Sequence, residues 1–339
     1  MRVLVTGGTG FVGSHVTRQL LGLGHAVQLL VRDEGKARSV YSQAGTSMLS
    51  LKRGDVTDAA SVRSAIVGCD AVVHAAAATP IKGDDTAVLF KTNVDGVKHV
   101  IGTAADVGIR RIVHVSSITA IFNTDASKVT EQAPLSPSRM PYGRSKVEAD
   151  MAVREMQNNG AAVDIVYPGG VIGPNDPGLS DAFKALIHRF NDGFRITEGG
   201  MQHVDVRDLA SFIVTLLEES TSGARYLLPG PYLTWSQLAD LLEKVSGYTL
   251  KRVPAKGWVF RAMGRFYDFR RLFTTVDSPI SAETMRYSTQ WPNVKPSEKF
   301  TELGLSFCDP EKTFADSLCW LVEAGHLQKQ QLPRLFPQG

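Results

Sequence analysis

The sequence predicts an α/β protein in which helices cover both faces of a doubly wound parallel sheet, with a smaller mixed α/β part towards the C-terminus. Short apolar runs typical of buried strands alternate with longer segments of helical apolar spacing through the first two thirds of the chain. The first run, residues 2–5, enters a glycine-rich turn that is followed directly by a helical pattern. The 339 residues, 43% hydrophobic and 21% charged, suffice for one large domain or two that pack closely.

Composition excludes several other classes of protein. A net charge of +3 is too small to indicate nucleic-acid binding. No apolar run is long enough to span a membrane, and we expect no secretory leader before the first strand. Cys69, Cys308 and Cys319 have no paired metal spacing and favour reduced thiols in the cytoplasm. The eight histidines form no H-E-x-x-H pattern, so no metal site is predicted.

The turn after the first strand carries two overlapping glycine patterns, G-x-G-x-x-G and T-G-x-x-G-x-x-G. One glycine allows a sharp turn with positive φ, another lets the backbone approach a pyrophosphate, and a third lets the helix pack closely on the strand. The unpaired N–H groups at the start of the helix attract an anion. This order predicts a dinucleotide site, the alternative being a turn that merely needs glycine. The residues expected at the cofactor here are Gly7, Thr9, Gly10, Phe11, Val12 and Gly13.

The T-G-x-x-G-x-x-G pattern resembles the extended branch of the short-chain dehydrogenase/reductase superfamily, the NAD(P)-dependent epimerase/dehydratase family. The resemblance implies a Rossmann-type sheet, a nicotinamide cofactor and catalysis on hydroxyl or carbonyl groups. It covers the first half of the chain well and the last 130 or so residues only loosely.

The residues at the end of the second predicted strand, residues 26–31, determine whether NAD or NADP is the expected cofactor. An acidic residue there holds the ribose hydroxyls of NAD, whereas an arginine neutralises the 2′-phosphate of NADP. Arg32 follows the strand, and Lys36 and Arg38 add positive charge, so NADP(H) is predicted. Because Asp33 also lies near the strand end, NAD(H) remains a second candidate for the cofactor. The alternative role for Arg32 is that of a solvated surface cation.

Two later loops are expected at the cofactor because of the resemblance. After the third predicted strand, residues 48–51, the family places an Asp-Val pair against the adenine, here Asp55 and Val56, and Thr57 or Asp58 is predicted to cap the next helix. After the fourth strand, residues 71–74, small side chains allow the backbone to approach the riboses. These residues are Ala75, Ala76 and Ala77. His74 is predicted to be packed rather than catalytic.

Residues 83–107 show a long helical pattern with apolar positions spaced for burial, namely Val88, Leu89, Val94, Val97, Val100 and Ile101. Asn93 lies inside this pattern, although asparagine is a mediocre helix residue. The resemblance implies that Asn93 supports the backbone of the active site, and a solvent-facing asparagine is the alternative.

Three residues carry the predicted chemistry. A fifth strand, residues 111–115, ends at Val115 before two serines, and ligands of doubly wound sheets bind beyond such strand ends. Tyr142 and Lys146 follow four residues apart, so they share one face of a helix. The resemblance makes Ser117, Tyr142 and Lys146 the catalytic set, with Ser116 and Thr119 as weaker rivals for the active hydroxyl.

Each residue type in this set has a chemical reason. Hydride addition to a carbonyl builds an alkoxide, which needs a proton and stabilisation. Tyrosine can supply that proton, and a nearby ammonium is expected to lower its pKa towards the working range. Lysine also has donors for the nicotinamide ribose, and serine orients the substrate oxygen.

The loop at residues 122–141 is too long for a plain connector and, by resemblance, borders the substrate. After a strand at residues 163–167, the Pro/Gly segment 168–174 resembles the part of the family that lies under the nicotinamide; a simple turn is the alternative. Pro168, Gly169 and Val171 are its expected contacts. The spacing of Phe183, Phe190 and Phe194 fits either pocket lining or core packing. Helices are predicted at residues 209–218, 234–245 and 310–323.

Residues 256–273 alternate large apolar side chains with lysine and arginine. We favour a lid over an apolar substrate or plain packing for this basic amphipathic helix. A membrane or partner contact is the alternative.

Two departures from the family's sugar-nucleotide enzymes limit the reactions that the resemblance implies. Ser117 is followed by residues 118–120 without the Asp-Glu pair of sugar-nucleotide dehydratases, and Gly170 stands where sugar-nucleotide enzymes commonly have asparagine. The chain thus looks more like dihydroflavonol-reductase-like and hydroxysteroid-dehydrogenase-like members. We predict an NADPH-dependent reductase of an apolar or aromatic ketone or aldehyde. A nucleotide-sugar epimerase and a non-enzymatic NADP sensor are the alternatives.

The predicted organisation follows from these assignments. Residues 1–169, with a return segment at 203–228, are expected to form the NADP-binding Rossmann domain. Residues 170–202 and 229–339 are expected to bind a small-molecule substrate. The resemblance leaves a homodimer open, and a cytoplasmic location is expected.

Overall fold

The computed structural model describes residues 1–42, 46–79, 86–219, 222–274, 278 and 280–337. The start of the helical pattern predicted from residue 83 therefore lies outside the described residues. The strands are β1 (Arg2–Thr6), β2 (Ala26–Val31), β3 (Leu49–Arg53), β4 (Ala71–His74), β5 (Ile112–Val115), β6 (Val163–Pro168), β7 (Gly170–Ile172), β8 (Phe194–Ile196), β9 (Gly200–Asp205), β10 (Arg225–Leu228), β11 (Tyr232–Thr234) and β12 (Arg252–Pro254).

The helices alternate with the strands in the first part of the chain and dominate the last part. They are α1 (Phe11–Gly22), α2 (Glu34–Val40), α3 (Ala59–Ile66), α4 (Thr86–Phe90), α5 (Gly96–Asp106), α6 (Pro141–Asn158), α7 (Asp181–Asn191), α8 (Val206–Glu219), α9 (Trp235–Ser246), α10 (Gly257–Arg271), α11 (Ala282–Thr289), α12 (Glu298–Glu302) and α13 (Pro310–Glu323). A π-helical turn, Lys91–Asp95, joins α4 to α5.

Seven parallel strands form the main sheet in the order β3-β2-β1-β4-β5-β6-β10. The chain builds outward from β1 in both directions, so the strand order reverses between β1 and β4. Thr6 and His74 are paired in register at the carboxyl ends of these two strands. This reversal opens a crevice at the sheet edge where ligands of such folds bind. The predicted doubly wound parallel sheet is confirmed.

The sheet is buried on both faces, which explains the nearly continuous apolar runs of β1, β4 and β5. One apolar cluster joins the sheet to α3, α5 and α6, and a second joins its other face to α1, α2 and α8. These helices hold the strand ends rigidly, so the loops beyond them start from fixed positions.

A third apolar cluster is built from α7, α9 and α13. Phe11, in the first turn of α1, also belongs to it and contacts Phe183 with ring centroids 5.8 Å apart. Phe183, Phe190 and Phe194 are all buried in this cluster. Of the two predictions for these residues, core packing is therefore the one that applies, rather than pocket lining. Two small sheets, β11-β9-β7 and β12-β8, form apart from the main sheet.

Several predicted boundaries are confirmed closely. The bounds of β2 and α13 match the predictions, and Thr234 caps α9 in a reciprocal capping box with Gln237. Asp58, not Thr57, caps α3. His74 is packed as predicted, with its Nδ1 2.7 Å from Thr6 Oγ1.

Other predictions are wrong. Val88 was expected to be buried and is 55% exposed, whereas the other five apolar positions of that pattern are buried. The π-helical turn after α4 inserts one extra residue per turn and changes the face that the earlier residues present. Strand β7 forms inside the segment 168–174 because it pairs with β9, so the alternative of a simple turn is wrong for residues 170–172.

Candidate active site

The glycine turn after β1 is compact because backbone occupies the space where side chains would lie. Gly7 has a φ of 74°, and a Cβ there would lie 2.6 Å from the carbonyl carbon of Ala75. A Cβ on Gly13 would lie 2.3 Å from the Gly7 carbonyl oxygen. Only glycine fits both positions, and the turn is thereby held against the segment that follows β4.

The start of α1 is open to an anion. Gly10 is the N-cap residue; no side chain accepts from the first N–H groups of the helix, and its first turn has no acidic residue. These N–H groups and the helix dipole suit a phosphate. The side chains of Phe11 and Val12 pack into the apolar clusters, so these two residues present their backbone to the anion site at the start of α1.

Charged groups at the end of β2 have separate roles. Asp33 is the N-cap of α2 and accepts a hydrogen bond from the Lys36 backbone N–H at 3.0 Å. Arg32 is exposed directly after the strand, and no acidic side chain in the described part of the chain pairs with it. The arginine is thus the available charged group at this edge, while the carboxylate braces its own helix.

The loop after β3 is shaped by its own carboxylate. Asp55 Oδ1 accepts from the Thr57 backbone N–H at 2.9 Å. Val56 is buried and packs close to Gly96 at the start of α5. The roles predicted for Asp55 and Val56 at an adenine stay predictions.

Asn93 connects the loop after β4 to helix α6. It is buried in the π-helical turn; its Oδ1 accepts from the Ala78 N–H at 2.7 Å, and its Nδ2 donates to the Ala78 carbonyl at 3.0 Å and to Ser145 Oγ at 2.9 Å. The solvent-facing alternative is therefore wrong. These bonds fix the backbone that follows Ala75, Ala76 and Ala77.

Helix α6 and the end of β5 bring the three predicted catalytic residues together. Tyr142 is in the first turn of α6, Lys146 is one turn further on, and Ser117 lies near enough to Tyr142 to lower the pKa of its phenol. Thr119 Oγ1 donates to Ser117 Oγ at 2.8 Å, and the Thr119 N–H does so at 3.2 Å. Ser117 Oγ accepts both of these bonds, so its own proton stays available to a further acceptor.

The hydroxyl groups of Ser116 and Thr119, the two alternatives for the active hydroxyl, are both engaged in hydrogen bonds. Ser116 is buried and donates to Asp150 Oδ1 at 3.2 Å, on the side of the strand that faces α6. The hydroxyl of Thr119 is held by Ser117. The geometry therefore favours Ser117 beside Tyr142.

Burial sets the protonation of this group. It raises the pKa of Tyr142 to about 12, against the lowering effect of the Ser117 hydrogen bond. It lowers the pKa of Lys146 to about 8, which the Asp150 carboxylate opposes. The phenol pKa therefore does not fall as expected from Lys146, because burial raises it and the lowering effect comes from Ser117 instead. At neutral pH the phenol holds its proton and the amine is charged.

Asp150 was missed in the sequence and lies one turn beyond Lys146. Its buried carboxylate accepts from Ser116 at 3.2 Å and Tyr167 at 3.0 Å, and Arg154 Nε lies 2.8 Å away. Desolvation raises the pKa of this carboxyl. The spacing of Tyr142, Lys146 and Asp150, four residues apart each time, was the available signal.

The segment after β6 is held at the neighbouring strand ends. The Gly169 N–H donates to the Leu228 carbonyl at 3.2 Å, and a Cβ on Gly169 would lie 2.2 Å from the Pro229 carbonyl oxygen. Pro168 ends β6, and Val171 lies in β7. Val115 ends the adjacent strand β5. Their predicted contacts with a nicotinamide stay predictions.

A cavity of about 720 Å³ adjoins the N-terminus of α6. Its walls come from the loop after Ser117, from α10 and from α11, and they include Phe122, Met140, Asp268, Glu283, Arg286 and Tyr287. Phe122 and Tyr287 pack edge to face with centroids 4.4 Å apart. Glu283 accepts from the Arg139 N–H at 2.9 Å and the Met140 N–H at 3.2 Å, which anchors the chain just before Tyr142.

Comparisons with known proteins identify what the chain resembles. A model of the NAD dependent epimerase/dehydratase family matches residues 3–228. Sterol demethylase protein B of Methylococcus capsulatus is 27% identical over 332 residues, which cover 96% of this chain and 99% of the relative. Cinnamoyl-CoA reductase 1 of Oryza sativa subsp. japonica is 28% identical over 350 residues, covering 99% and 93%. The crystal structure of gox2253 shares the fold with a TM-score of 0.82 at 24% identity, covering 96% and 99%. The family resemblance is confirmed.

Proposed function

Because the chain belongs to the NAD-dependent epimerase/dehydratase family, we propose that it uses NADPH to reduce a ketone or aldehyde of an apolar or aromatic small molecule to the alcohol. The protein is an NAD(P)-dependent oxidoreductase of the extended short-chain dehydrogenase/reductase type. The observation that carries the proposal is the protonated Tyr142 held between Ser117 and the helical turn of Lys146.

Each of these residues has a separate role in the proposed reaction. The bound cofactor supplies the hydride that adds to the carbonyl carbon. Tyr142 gives its proton to the oxygen as negative charge develops there, and the Ser117 hydroxyl orients that oxygen. Lys146 holds the ribose hydroxyls, and its charge stabilises the tyrosinate that remains after proton transfer.

The cofactor cradle is proposed at the reversal of strand order. The glycine turn would hold the diphosphate, Arg32 and Lys36 the 2′-phosphate, and Asp55 the adenine. The remaining proposed contacts are Val56, Ala75, Ala76, Ala77, Asn93, Val115, Pro168, Gly169 and Val171. We propose that residues 1–169 and 203–228 serve the cofactor and that the other segments bind the substrate.

One wall of the cavity is aromatic and can pack against an apolar ring of the substrate, while charged and polar side chains line the rest. Phe122 and Tyr287 form its aromatic wall next to the loop that carries Ser117. Two relatives have names that refer to a sterol and to cinnamoyl-CoA, which supports the same class. The lack of an asparagine side chain at Gly170 argues against a nucleotide-sugar substrate.

A parallel screen tests the proposal. NADPH and NADH oxidation would be measured with aromatic ketones, aldehydes and oxosteroids. UDP-sugars are the comparison set, and their conversion would be followed by analysis of the sugar products, because epimerisation consumes no net cofactor. We expect NADPH-dependent turnover of carbonyl compounds. Turnover confined to nucleotide sugars, with NAD retained through purification, would instead establish the epimerase.

Arg32→Ala is expected to raise the KM for NADPH about tenfold or more and to change the KM for NADH less than about twofold, because only NADPH has the 2′-phosphate. Steady-state kinetics with both cofactors measures this ratio. Arg63→Ala is the matched control, since Arg63 is exposed on α3 and has no proposed contact with the cofactor. Equal effects of Arg32→Ala on both cofactors would remove the NADP assignment.

The rate of reduction is expected to fall as the pH rises through about 8. Lys146, whose pKa burial lowers to about 8, loses its charge there, whereas Tyr142 keeps its proton because its pKa is about 12. A profile of kcat against pH at saturating substrate measures the falling limb. In Asp150→Asn, the carboxylate that raises the Lys146 pKa is gone, so the limb should move to lower pH. A limb at the same pH in both proteins would contradict this assignment.

A further inference from the structure

Helix α10 exposes a continuous apolar stripe. Trp258, Val259, Phe266 and Phe269 are between 44% and 61% exposed, and Leu272 and Phe273 just beyond the helix are 75% and 72% exposed. At about 100° per residue, the four helical positions lie within an arc of about 100°. Plain packing, one of the two favoured predictions for this segment, is therefore wrong for these side chains.

The opposite face of α10 is firmly attached to the protein. A Cβ on Gly264 would lie 2.5 Å from the Ser281 carbonyl oxygen, so the helix touches the start of α11 directly. Asp268 accepts from the Ala282 N–H at 2.8 Å and pairs with Arg271, and Arg261 donates to Thr289 at 3.1 Å. The apolar stripe therefore faces outward from a fixed support.

Positive charge surrounds the stripe. Residues 251–271 contain seven Lys or Arg and one Asp, a net charge of +6, whereas the whole chain has +3. Arg265 and Arg270 lie on the same helical projection about 20° outside the two edges of the stripe. Within the described residues, Lys251, Lys256, Arg265 and Arg270 are exposed and have no acidic partner.

We propose that α10, with Leu272 and Phe273, lies flat in the surface of an anionic lipid membrane. Aromatic rings on one face with arginines at both edges suit the boundary between headgroups and acyl chains. The rings enter the apolar layer, and the guanidinium groups reach up to lipid phosphates. Each such cation near an anionic surface strengthens binding. Among the described residues no helix is long and apolar enough to cross the bilayer.

The positive charge around the stripe argues against a second copy of the chain as the partner that covers it. A symmetric contact would bring two sets of unpaired cations together around the stripe, and like charges at close range repel. An anionic bilayer meets the apolar and the basic requirements at once. Asp268 and Arg271, on the inner side of the helix, line the cavity beside α6. On the proposed function, the contact would place this cavity next to the phase that dissolves an apolar substrate.

The test uses the full chain and vesicles of phosphatidylcholine, alone or mixed with phosphatidylglycerol. Co-sedimentation is expected with the anionic vesicles and should weaken as salt is raised. Acyl-brominated lipids should quench Trp258, which is the most exposed apolar side chain within the helix. The double substitution Phe266→Ser/Phe269→Ser should lower partitioning at least about tenfold, and Arg265→Glu/Arg270→Glu should lower it by a similar factor.

The matched control is Val88→Ser/Val107→Ser, which removes exposed apolar side chains elsewhere and should leave partitioning unchanged. Thermal melting and NADPH binding report that each variant is folded, and sedimentation is independent of turnover, so failure of the proposed reaction would not mimic failure here. Two results would overturn the inference: absence of binding to anionic vesicles, or dimerisation through the stripe that the Phe266→Ser/Phe269→Ser change abolishes.

Discussion

Tyr142→Phe is expected to lower kcat for carbonyl reduction about 10²- to 10⁴-fold, because the variant lacks the proton donor. The ring of phenylalanine fills the same space, so the affinity for NADPH should change less than about twofold. Fluorescence titration of NADPH and steady-state kinetics with an active carbonyl substrate separate the two effects. Ser117 remains in the variant, but serine alone is too weak an acid to replace the phenol.

A second tyrosine provides the control for this experiment. Tyr248 is half-buried against Phe190 in the third apolar cluster, with ring centroids 6.0 Å apart. Tyr248→Phe should leave kcat and NADPH affinity near the wild-type values. If Tyr142→Phe retained wild-type turnover, or lost turnover only because it no longer bound NADPH, Tyr142 would not be the acid of the reaction.

The next largest effect is expected for Gly13→Ala, which should raise the Kd for NADPH at least about tenfold and lower the free energy of unfolding by about 1–3 kcal/mol. The added Cβ would lie 2.3 Å from the Gly7 carbonyl oxygen and 2.7 Å from its carbonyl carbon. Since both atoms are backbone, only movement of the whole turn relieves the contact. That movement displaces the N–H groups which are proposed to hold the diphosphate.

Gly22→Ala is the control on the same helix. No atom lies within 4 Å of a Cβ on Gly22, and alanine is the better helix residue. This variant should bind NADPH as the wild type does and be equally or more stable. Equal NADPH affinity of Gly13→Ala and Gly22→Ala, measured by titration on folded samples, would show that the glycine turn does not hold the cofactor.

Features with a local physical cause were predictable from the sequence. The strand, turn and helix at the start of the chain depend on residues within about one helical turn of each other, and β2, α9 and α13 follow from apolar spacing and caps. Tyr142 and Lys146 share a helix face through their spacing alone. Their partner Ser117 required the resemblance, because nothing local joins it to α6.

Features that depend on distant contacts were not predictable in this way. The carboxylate of Asp150 meets Tyr167 only after β6 is placed beside β5, and Asn93 meets Ser145 across 52 positions. The pKa of Tyr142 was expected to fall because of Lys146, but it rises because burial has the larger effect. The apolar spacing of α10 indicated an amphipathic helix correctly, yet spacing cannot state whether a partner covers its apolar face.

The most direct test of the account is a crystal structure of the chain with NADP⁺ bound. We expect the diphosphate at the glycine turn between Gly7 and Gly13, and the nicotinamide at the carboxyl end of β5 with Lys146 on its ribose. The Tyr142 hydroxyl should lie where a carbonyl oxygen can bond it while the carbonyl carbon is about 3–3.5 Å from the nicotinamide C4. A diphosphate bound away from the glycine turn, or a nicotinamide on the far side of α6 from Tyr142, would contradict the account.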